Sequence, residues 1–234
     1  MQRNNYLIIG GSSGIGRELA LRLSEQYRVY ATFRNHDPGE GTDRLSYHHL
    51  DLQHENPDWT FLPETLSGVA VMPGRIQLKP FNRIKPADFV ADFEAQVVGP
   101  MSALQVLAPL LKNSGSGSVV LFSTIAVQRG FSYHSLVSSS KGAIEGLTRA
   151  LAAEWAPVIR VNCIAPSLTD TPLAAALLNS PEKIQQQSAR HPMKRIGSAS
   201  DLASLAYFLL TGQSSWITGQ VIHADGGLSS LSMV

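Results

Sequence analysis

Short apolar runs alternate with longer helical patterns along almost the whole chain. Runs rich in β-branched and aromatic residues are typical of strands, whereas apolar positions three or four residues apart are typical of helices. Strands that alternate with helices predict βαβ units and therefore a parallel sheet. The predicted strands are Tyr6–Ile9, Arg28–Phe33, Leu45–Leu50, Gly68–Met72, Ser118–Phe122, Arg160–Ile164 and Gln220–His223.

The helical patterns fall between these strands. From Gly142 to Trp155, apolar residues recur three or four positions apart and form one stripe along a helix. The stretch from Gln53 to Leu66 contains two prolines, so any helix there is short. These patterns predict an α/β fold over residues 1–234, a single domain with a doubly wound parallel sheet of about seven strands and helices on both faces. The predicted helices are Ile15–Gln26, Phe89–Leu111, Gly142–Trp155 and Asp201–Leu210.

The composition excludes several classes of protein. The chain has 234 residues, of which 44% are hydrophobic and 16% charged, and its net charge is +1. Disordered chains combine low hydrophobicity with high net charge, and nucleic-acid binders usually carry a basic excess, so neither class fits. The longest mainly apolar stretch, Val97–Leu111, is too short for a membrane span. Cys163 is the single cysteine, and we expect a cytoplasmic protein that binds neither nucleic acid nor a membrane.

A glycine-rich segment joins the first predicted strand to the first predicted helix. Glycines permit a tight turn and let backbone N–H groups approach a pyrophosphate, while the helix N-terminus attracts an anion. An ordinary flexible turn also explains such glycines, but the position between strand and helix favours a dinucleotide site. The predicted cofactor-binding residues of this turn are Gly10, Ser12, Ser13, Gly14, Ile15 and Gly16.

This turn also resembles the cofactor loop of the short-chain dehydrogenase/reductase family. The family pattern is Thr-Gly-x-x-x-Gly-x-Gly, with a threonine where Ile9 stands. Further matches follow in the family's order over nearly the whole chain, and five ordered motifs are far more specific than one. The resemblance implies a Rossmann-type fold and a nicotinamide cofactor. The further matches are Asp51, Val161–Pro166, Pro192–Gly197 and Ile217–Gly227.

Four residues outside the glycine turn are also predicted to bind the cofactor, and one of them bears on which dinucleotide is bound. The resemblance places Asp51 near the adenine, and Pro166 and Thr171 on the nicotinamide side. A carboxylate after the second strand would select NAD, but Arg34 stands there, and a guanidinium can pair with a 2′-phosphate. The sequence therefore predicts NADP(H) in preference to NAD(H). The alternative is that Arg34 is a solvated loop arginine.

The catalytic residues that the resemblance implies are only partly present. In this family a tyrosine is the acid/base, and a lysine one helical turn later lowers its pKa and holds the nicotinamide ribose. A serine orients the substrate oxygen, and an asparagine connects the lysine to water. Lys141 matches the lysine, Thr124 the serine position and Gln96 the asparagine position. Val137 stands at the tyrosine position, four residues before Lys141, and valine has no proton to give.

Tyr133 and His134 are the nearest groups that can donate a proton instead. In a continuous helix Tyr133 lies about 12 Å from Lys141, too far for contact. If the segment before Val137 is a loop, either side chain can fold over the nicotinamide; alternatively, both line the pocket wall or contact solvent. A positioned acid/base group contributes about 10²–10⁴-fold, so its loss predicts a slow enzyme rather than an inactive one.

The remaining predictions concern substrate, metal and assembly. Residues 167–196 resemble the family's mobile substrate-covering segment, whose apolar run Leu173–Leu178 indicates an apolar small molecule, or packs on the body or a neighbouring subunit. His48 and His49 are adjacent on a strand and point to opposite faces, so no metal site is predicted. The resemblance implies a homodimer or homotetramer that uses the two longest helices.

Two functions stay open. The first is an NADP-dependent oxidoreductase that acts on a carbonyl or secondary alcohol with atypical proton delivery. The second is an NADP-binding protein without turnover that acts as a sensor or subunit partner. The glycine turn, Arg34, Asp51 and Lys141 support cofactor binding under both. Val137 favours the second function, whereas the hydroxyl of Thr124, together with Lys141 and the covering segment, favours the first.

Overall fold

A parallel sheet forms the centre of the protein, whose computed structural model describes residues 4–232. The strands are β1 (Asn5–Ile9), β2 (Arg28–Phe33), β3 (Leu45–His49), β4 (Gly68–Val71), β5 (Gly117–Phe122), β6 (Ile159–Pro166), β7 (Thr169–Asp170), β8 (Gly197–Ser198) and β9 (Val221–Ala224). Seven of them form one sheet in the order β3–β2–β1–β4–β5–β6–β9, with every pair parallel. The predicted seven-stranded doubly wound sheet is thus confirmed.

Helices cover both faces of this sheet because successive strand residues point to opposite sides. Leu7 and Ile9 of β1 belong to one buried cluster, which includes Leu107, whereas Ile8 belongs to the other, which includes Leu23. No helix within residues 4–232 is long and apolar enough to cross a bilayer. The helices are α1 (Gly14–Ser24), α2 (Pro86–Phe93), α3 (Gly99–Asn113), α4 (Ser135–Trp155), α5 (Pro181–Arg190) and α6 (Ala199–Leu210).

The predicted helix Phe89–Leu111 is wrong in its start and its continuity. The helical run begins earlier, at α2, and a π-helical turn over Glu94–Val98 separates α2 from α3. Pro100 lies at the start of α3 and has no N–H to donate to the carbonyl four residues earlier, that of Gln96. This missing donor explains why the regular α-helical ladder is interrupted at this point.

Helix α4 also begins earlier than predicted, at Ser135 instead of Gly142. Serines have weak helix propensity, and those before Lys141 blur the apolar periodicity. The helix forms there because the serine hydroxyls find partners: Ser138 donates to the carbonyl of Ala126 at 2.9 Å. The helical turn therefore includes Val137, which places it one turn before Lys141 on the same helix face.

An aromatic loop covers the sheet between β3 and β4, where only a short helix was predicted. The structure describes no helix over residues 50–67. Trp59 and Phe61 pack against the core from this loop, and the ring of Phe61 stacks on His48 with centroids 4.2 Å apart. Aromatic side chains bury large areas, so a few of them replace the apolar face of a helix.

Candidate active site

The predicted site residues follow the carboxyl ends of neighbouring strands. Gly10 follows β1, Arg34 follows β2, and Thr124 lies two residues beyond β5. Because the strands are parallel, these ends lie along one edge of the sheet. The strand order reverses between β1 and β4, and the carboxyl ends at such a reversal form the crevice in which open α/β sheets bind ligands.

The glycine turn between β1 and α1 has the backbone that its motif requires. Gly10 and Gly14 have φ values of 87° and 50°, a left-handed conformation that glycine adopts without steric cost. A Cβ on Gly16 would stand 2.1 Å from the carbonyl oxygen of Gly10, so α1 can start against the turn only with glycine there. Ser13, the N-cap residue of α1, makes no side-chain capping bond within residues 4–232.

These features fit the diphosphate of a dinucleotide. The first N–H groups of an α-helix lack intrahelical partners and carry a partial positive charge. The first turn of α1 holds no acidic residue that would oppose an anion. Ser12 and Ile15 are half-buried beside these amides, and Ser13 is exposed. Backbone and hydroxyl donors therefore converge at one place, which is the donor set that a diphosphate needs.

Arg34 and Asp51 lie together at the outer end of this crevice. Gln53 joins them: its side-chain oxygen accepts a hydrogen bond from Arg34 Nη1 at 3.4 Å, and its backbone N–H donates to Asp51 Oδ1 at 3.0 Å. Arg34 is exposed and Asp51 half-buried. The structure thus brings together the positive group and the carboxylate that the sequence placed on the adenosine side.

Lys141 reaches the same crevice from α4. Its Nζ donates to the carbonyl oxygen of Pro73, just beyond β4, at 3.3 Å, and the residue is only 7% exposed. Burial lowers the pKa of Lys141 to about 8, although the nearby Cys163 and Asp92 act in the opposite direction. A buried ammonium with a pKa near neutrality is poised to exchange its proton.

Thr124 retains a hydroxyl at the serine position. It is half-buried, and its Oγ1 accepts a hydrogen bond from the N–H of Ala126 at 3.3 Å, which leaves its own proton for a ligand. The neighbouring Ser123 cannot take this role, because it is buried and donates to Glu145 Oε1 at 2.8 Å. The side chain of Val137 is 8% exposed and brings only methyl groups to the helix turn before Lys141.

Tyr133 and His134 precede α4 in a turn. Tyr133 is 58% exposed and has a φ of 69°, and no hydrogen bond of its hydroxyl is found within residues 4–232. His134 is half-buried, with Nδ1 2.7 Å from the carbonyl oxygen of Ser132 and its ring 5.4 Å from that of Phe131. These contacts hold the imidazole on its own turn rather than directing it toward Lys141.

Gln96 is part of a buried polar cluster that the sequence did not reveal. Its Nε2 donates to Asp92 Oδ2 at 2.8 Å, and Ser140 donates to the same oxygen at 2.6 Å. Each of the three residues is 1% exposed. The sequence signal for the contact between Asp92 and Gln96 was their spacing of four residues, which places two helical side chains next to each other. Ser140 lies 48 residues further along and could not be connected to it.

The covering segment is tied down at both ends and leans over the glycine turn. Strand β7, near the start of the segment, pairs with strand β8, which directly follows its end. A Cβ built on Gly14 would stand 3.3 Å from Thr171 Cβ, and one on Gly74 would stand 2.6 Å from Leu173 Cδ2. Pro166, at the end of β6, is half-buried. Of the apolar run, Leu178 packs on the body, whereas Leu173 is 49% exposed above the crevice.

Comparisons with known proteins agree with this geometry. A family profile described as "Enoyl-(Acyl carrier protein) reductase" matches residues 64–229. The Arabidopsis thaliana protein named Tropinone reductase homolog At2g29290 is 40% identical over 98% of this chain and 94% of its own length. Six further tropinone reductase homologs match over 47% to 59% of their lengths.

Solved structures share the whole fold. A short-chain type dehydrogenase/reductase from Mycobacterium ulcerans superposes with a TM-score of 0.86 and 28% identity, covering 98% of this chain and 90% of that one. A structure described as ElxO with NADP bound has a TM-score of 0.88 and 28% identity, covering 98% and 100%. Together with the profile match and the similarity to the Arabidopsis protein over nearly its whole length, these structures establish that the chain belongs to the short-chain dehydrogenase/reductase family.

Proposed function

We propose that the protein is an NADP(H)-dependent oxidoreductase that interconverts a carbonyl compound and a secondary alcohol. The observation that carries this proposal is the position of Lys141 and Thr124, whose polar groups lie at the same sheet edge as the glycine turn. A relative of the same fold is described with NADP bound, and a variant of it with NADPH bound. Both descriptions support cofactor binding by this chain.

Each residue of the site has a part in this reaction. The bound nicotinamide supplies or accepts the hydride. The glycine turn binds the diphosphate, Arg34 pairs with the 2′-phosphate, and Asp51 lies on the adenine side. Pro166 and Thr171 lie on the nicotinamide side. Thr124 donates a hydrogen bond from its hydroxyl to the substrate oxygen, which orients the carbonyl for attack.

The substrate that fits best is a small carbonyl compound with an apolar body. The side chain of Leu173 packs against Gly74, and the carbonyl oxygen of the adjacent Pro73 accepts the hydrogen bond from Lys141. An apolar side chain therefore lies next to the residue that binds the ammonium. Met193, near the end of the covering segment, is 64% exposed and is a further apolar side chain that this segment leaves uncovered. Pockets of this kind combine an apolar lining with a few polar groups that fix orientation.

A second candidate is favoured by one observation, the valine at position 137. Without a tyrosine there, the chain can bind NADP(H) and act as a sensor or as a subunit partner. Tyr133 and His134 do not compensate, because one is exposed and the other is held by its own turn. Cofactor affinity is therefore common to both candidates, and turnover separates them.

The test measures binding first and turnover second. NADPH fluorescence gives the affinity, and loss of NADPH absorbance with a panel of apolar ketones and aldehydes gives the rate. Wild type is compared with His134→Ala, Tyr133→Phe, Val137→Tyr and, as the matched control that adds a ring without a hydroxyl, Val137→Phe. We expect slow turnover by wild type that neither His134→Ala nor Tyr133→Phe removes. If only Val137→Tyr turns over, the second candidate is correct.

A further inference from the structure

A buried carboxylate is hydrogen-bonded to the residue that precedes the site lysine. Asp92, on α2, accepts hydrogen bonds at Oδ2 from Ser140, the residue before Lys141, and from Gln96. The Ser140 bond measures 2.6 Å, which is the length typical of a hydroxyl donating to a charged oxygen. Both donors bind one oxygen of the carboxylate. The network therefore joins α2 and the π-helical turn to α4 beside Lys141.

Such a carboxylate needs a compensating charge. A buried ion is costly unless it is paired, and Asp92 is 1% exposed. The titratable groups that act on Lys141 are Asp92 from α2 and Cys163 from β6. Burial raises the pKa of Cys163 to about 12, so its thiol is neutral. Glu145, one turn further along α4, accepts the Ser123 hydrogen bond. The negative charge of Asp92 therefore favours the protonated form of Lys141 through the buried interior, without a direct ion pair between them among the described residues.

Two acceptor atoms of this cluster have no partner within residues 4–232. They are Asp92 Oδ1 and Gln96 Oε1, both fully buried. Unpaired buried acceptors require a donor, since each otherwise loses its hydration without compensation. They stand where the helix widens into a π turn, a feature that occurs frequently at functional sites. The cluster thus has two acceptor atoms available for further hydrogen bonds, close to the residue that precedes Lys141 on α4.

From this arrangement we propose that Lys141 itself exchanges the proton with the substrate oxygen, and that Asp92 is the positioning residue that keeps Lys141 charged and in place. The inference rests on the proposed function. In reduction, hydride from NADPH forms a new C–H bond at the carbonyl carbon. The carbonyl π pair then takes one proton from Nζ, which leaves an alcohol, NADP⁺ and a neutral amine. Solvent returns the proton to Lys141.

The chemistry suits the groups present. A lysine with an ordinary pKa holds its proton too tightly to be an efficient acid near neutrality, and burial corrects this by lowering the pKa to about 8. Asp92 opposes that decrease and so favours the charged form of Lys141. Valine at position 137, one helical turn before Lys141, carries no proton that competes with those of Nζ.

The first experiment needs no turnover. In protein labelled with ¹³C-lysine, the Hε–Cε resonance of Lys141, assigned with Lys141→Arg, is titrated by NMR. We expect a midpoint near pH 8, well below those of the exposed lysines, and a decrease of about one unit in Asp92→Asn. Glu94→Gln, which removes an exposed charge from the adjoining turn, is the matched control and leaves the midpoint unchanged. Asp92→Leu, of similar shape, replaces Asp92→Asn if the latter fails to fold.

The second experiment uses turnover. Reduction should fall as pH rises through the Lys141 midpoint, and in Asp92→Asn this alkaline limb should move down by the same amount. Lys141→Arg keeps the charge but holds its proton, so NADPH binds and turnover falls about 10²-fold or more. An unmoved NMR midpoint in Asp92→Asn, or full turnover by Lys141→Arg, overturns the inference. A shifted midpoint without turnover by any variant contradicts the proposed function but still shows that Asp92 favours the charged form of Lys141.

Discussion

A 2.8 Å hydrogen bond joins Oγ of Ser167 to Nε2 of His191 and so ties the end of β6 to the far end of the covering segment. The other ring nitrogen, Nδ1, lies 2.8 Å from the carbonyl oxygen of Gln187, which can only accept. Nδ1 therefore carries a proton and donates to this carbonyl. His191 is 2% exposed, so it links α5 to the sheet from within the protein.

His191→Ala should release the covering segment. The change removes both hydrogen bonds and leaves a cavity, so the free energy of unfolding should fall by about 2–3 kcal/mol. Hydrogen exchange measured by mass spectrometry should show faster exchange over residues 171–190. The control is His54→Ala, since His54 is exposed and contacts only its own turn. Equal exchange in both variants would show that the bond does not restrain the segment.

Gly16→Ala should impair cofactor binding and stability together. The new Cβ would stand 2.1 Å from the carbonyl oxygen of Gly10, so the turn or α1 must shift. Overpacking of this kind destabilises by about 1–3 kcal/mol, and we expect the NADPH dissociation constant to rise about tenfold or more. Chemical unfolding and NADPH fluorescence measure the two effects.

The control for that change is Gly146→Ala. Gly146 lies inside α4, and a Cβ there meets no atom within 4 Å. Alanine in a helix interior is more stable than glycine by about 0.5–1 kcal/mol, so this variant should gain stability and bind NADPH like wild type. If Gly16→Ala behaves like Gly146→Ala, the close packing of the turn is not what the cofactor needs.

The sequence predicted the sheet and the edge of the site, for a physical reason. Strands buried on both faces, such as Val119–Phe122, appear as continuous apolar runs, and parallel strands place their carboxyl ends along one edge. Arg34 was assigned to the cofactor from its position after the second strand, whereas Thr124 was assigned from the resemblance to the family's serine position. Local pattern was enough wherever neighbours in the chain are also neighbours in the fold.

The parts that could not be predicted depend on contacts between distant segments. Asp92 resembles any helical carboxylate until the fold brings Ser140 against it, and Ser167 and His191 are joined across 24 residues. The start of α4 was missed because its serines are stabilised by tertiary hydrogen bonds rather than by helix propensity. The aromatic loop that holds Phe61 has no periodicity at all.

Arg34→Ala should change cofactor preference rather than cofactor binding in general. A charge-assisted hydrogen bond to the 2′-phosphate is worth about 1.5–3 kcal/mol, so the NADPH dissociation constant should rise about 10- to 100-fold while that of NADH stays the same. Arg44→Ala is the control, because Arg44 is also exposed but lies at the opposite end of β3. An unchanged ratio of NADPH to NADH affinity in Arg34→Ala would show that Arg34 does not contact the phosphate.

Lys141 should make the protein more stable as the pH rises. Its folded pKa of about 8 lies below the ordinary value of 10.5, so between these values the unfolded chain binds a proton that the native chain does not. By linkage the free energy of unfolding then increases with pH, by about 3 kcal/mol over the full window, and this contribution is missing below pH 8.

Urea unfolding of wild type and Lys141→Met at several pH values between 7.5 and 10.5 measures this effect. The difference between the two proteins isolates Lys141, because the other groups that titrate in this range are common to both. We expect the difference to grow in favour of wild type as the pH rises. A constant difference would mean that Lys141 keeps its ordinary pKa in the native state.

Helix α3 offers a surface for self-association, and we propose that it is buried in a homodimer or homotetramer. From Ala95 to Leu111 the sequence has no charged residue, although one face of the helix is exposed. That face carries Val106, which is 45% exposed, and is extended by Val98 of the preceding π-helical turn, which is 40% exposed. Uncharged apolar stripes of this kind mark interfaces between subunits.

Val106→Glu should therefore dissociate the assembly. A carboxylate at the centre of an apolar interface loses its hydration without gaining a partner. The free energy of this desolvation usually exceeds what one contact between subunits contributes. Sedimentation velocity should show an oligomer for wild type and a monomer for Val106→Glu, with NADPH affinity retained in both. Ile184→Glu, at a position on α5 that is 40% exposed, is the control and should sediment as wild type does. If wild type is itself a monomer, or if Val106→Glu sediments unchanged, then the exposed face of α3 is not the contact between subunits.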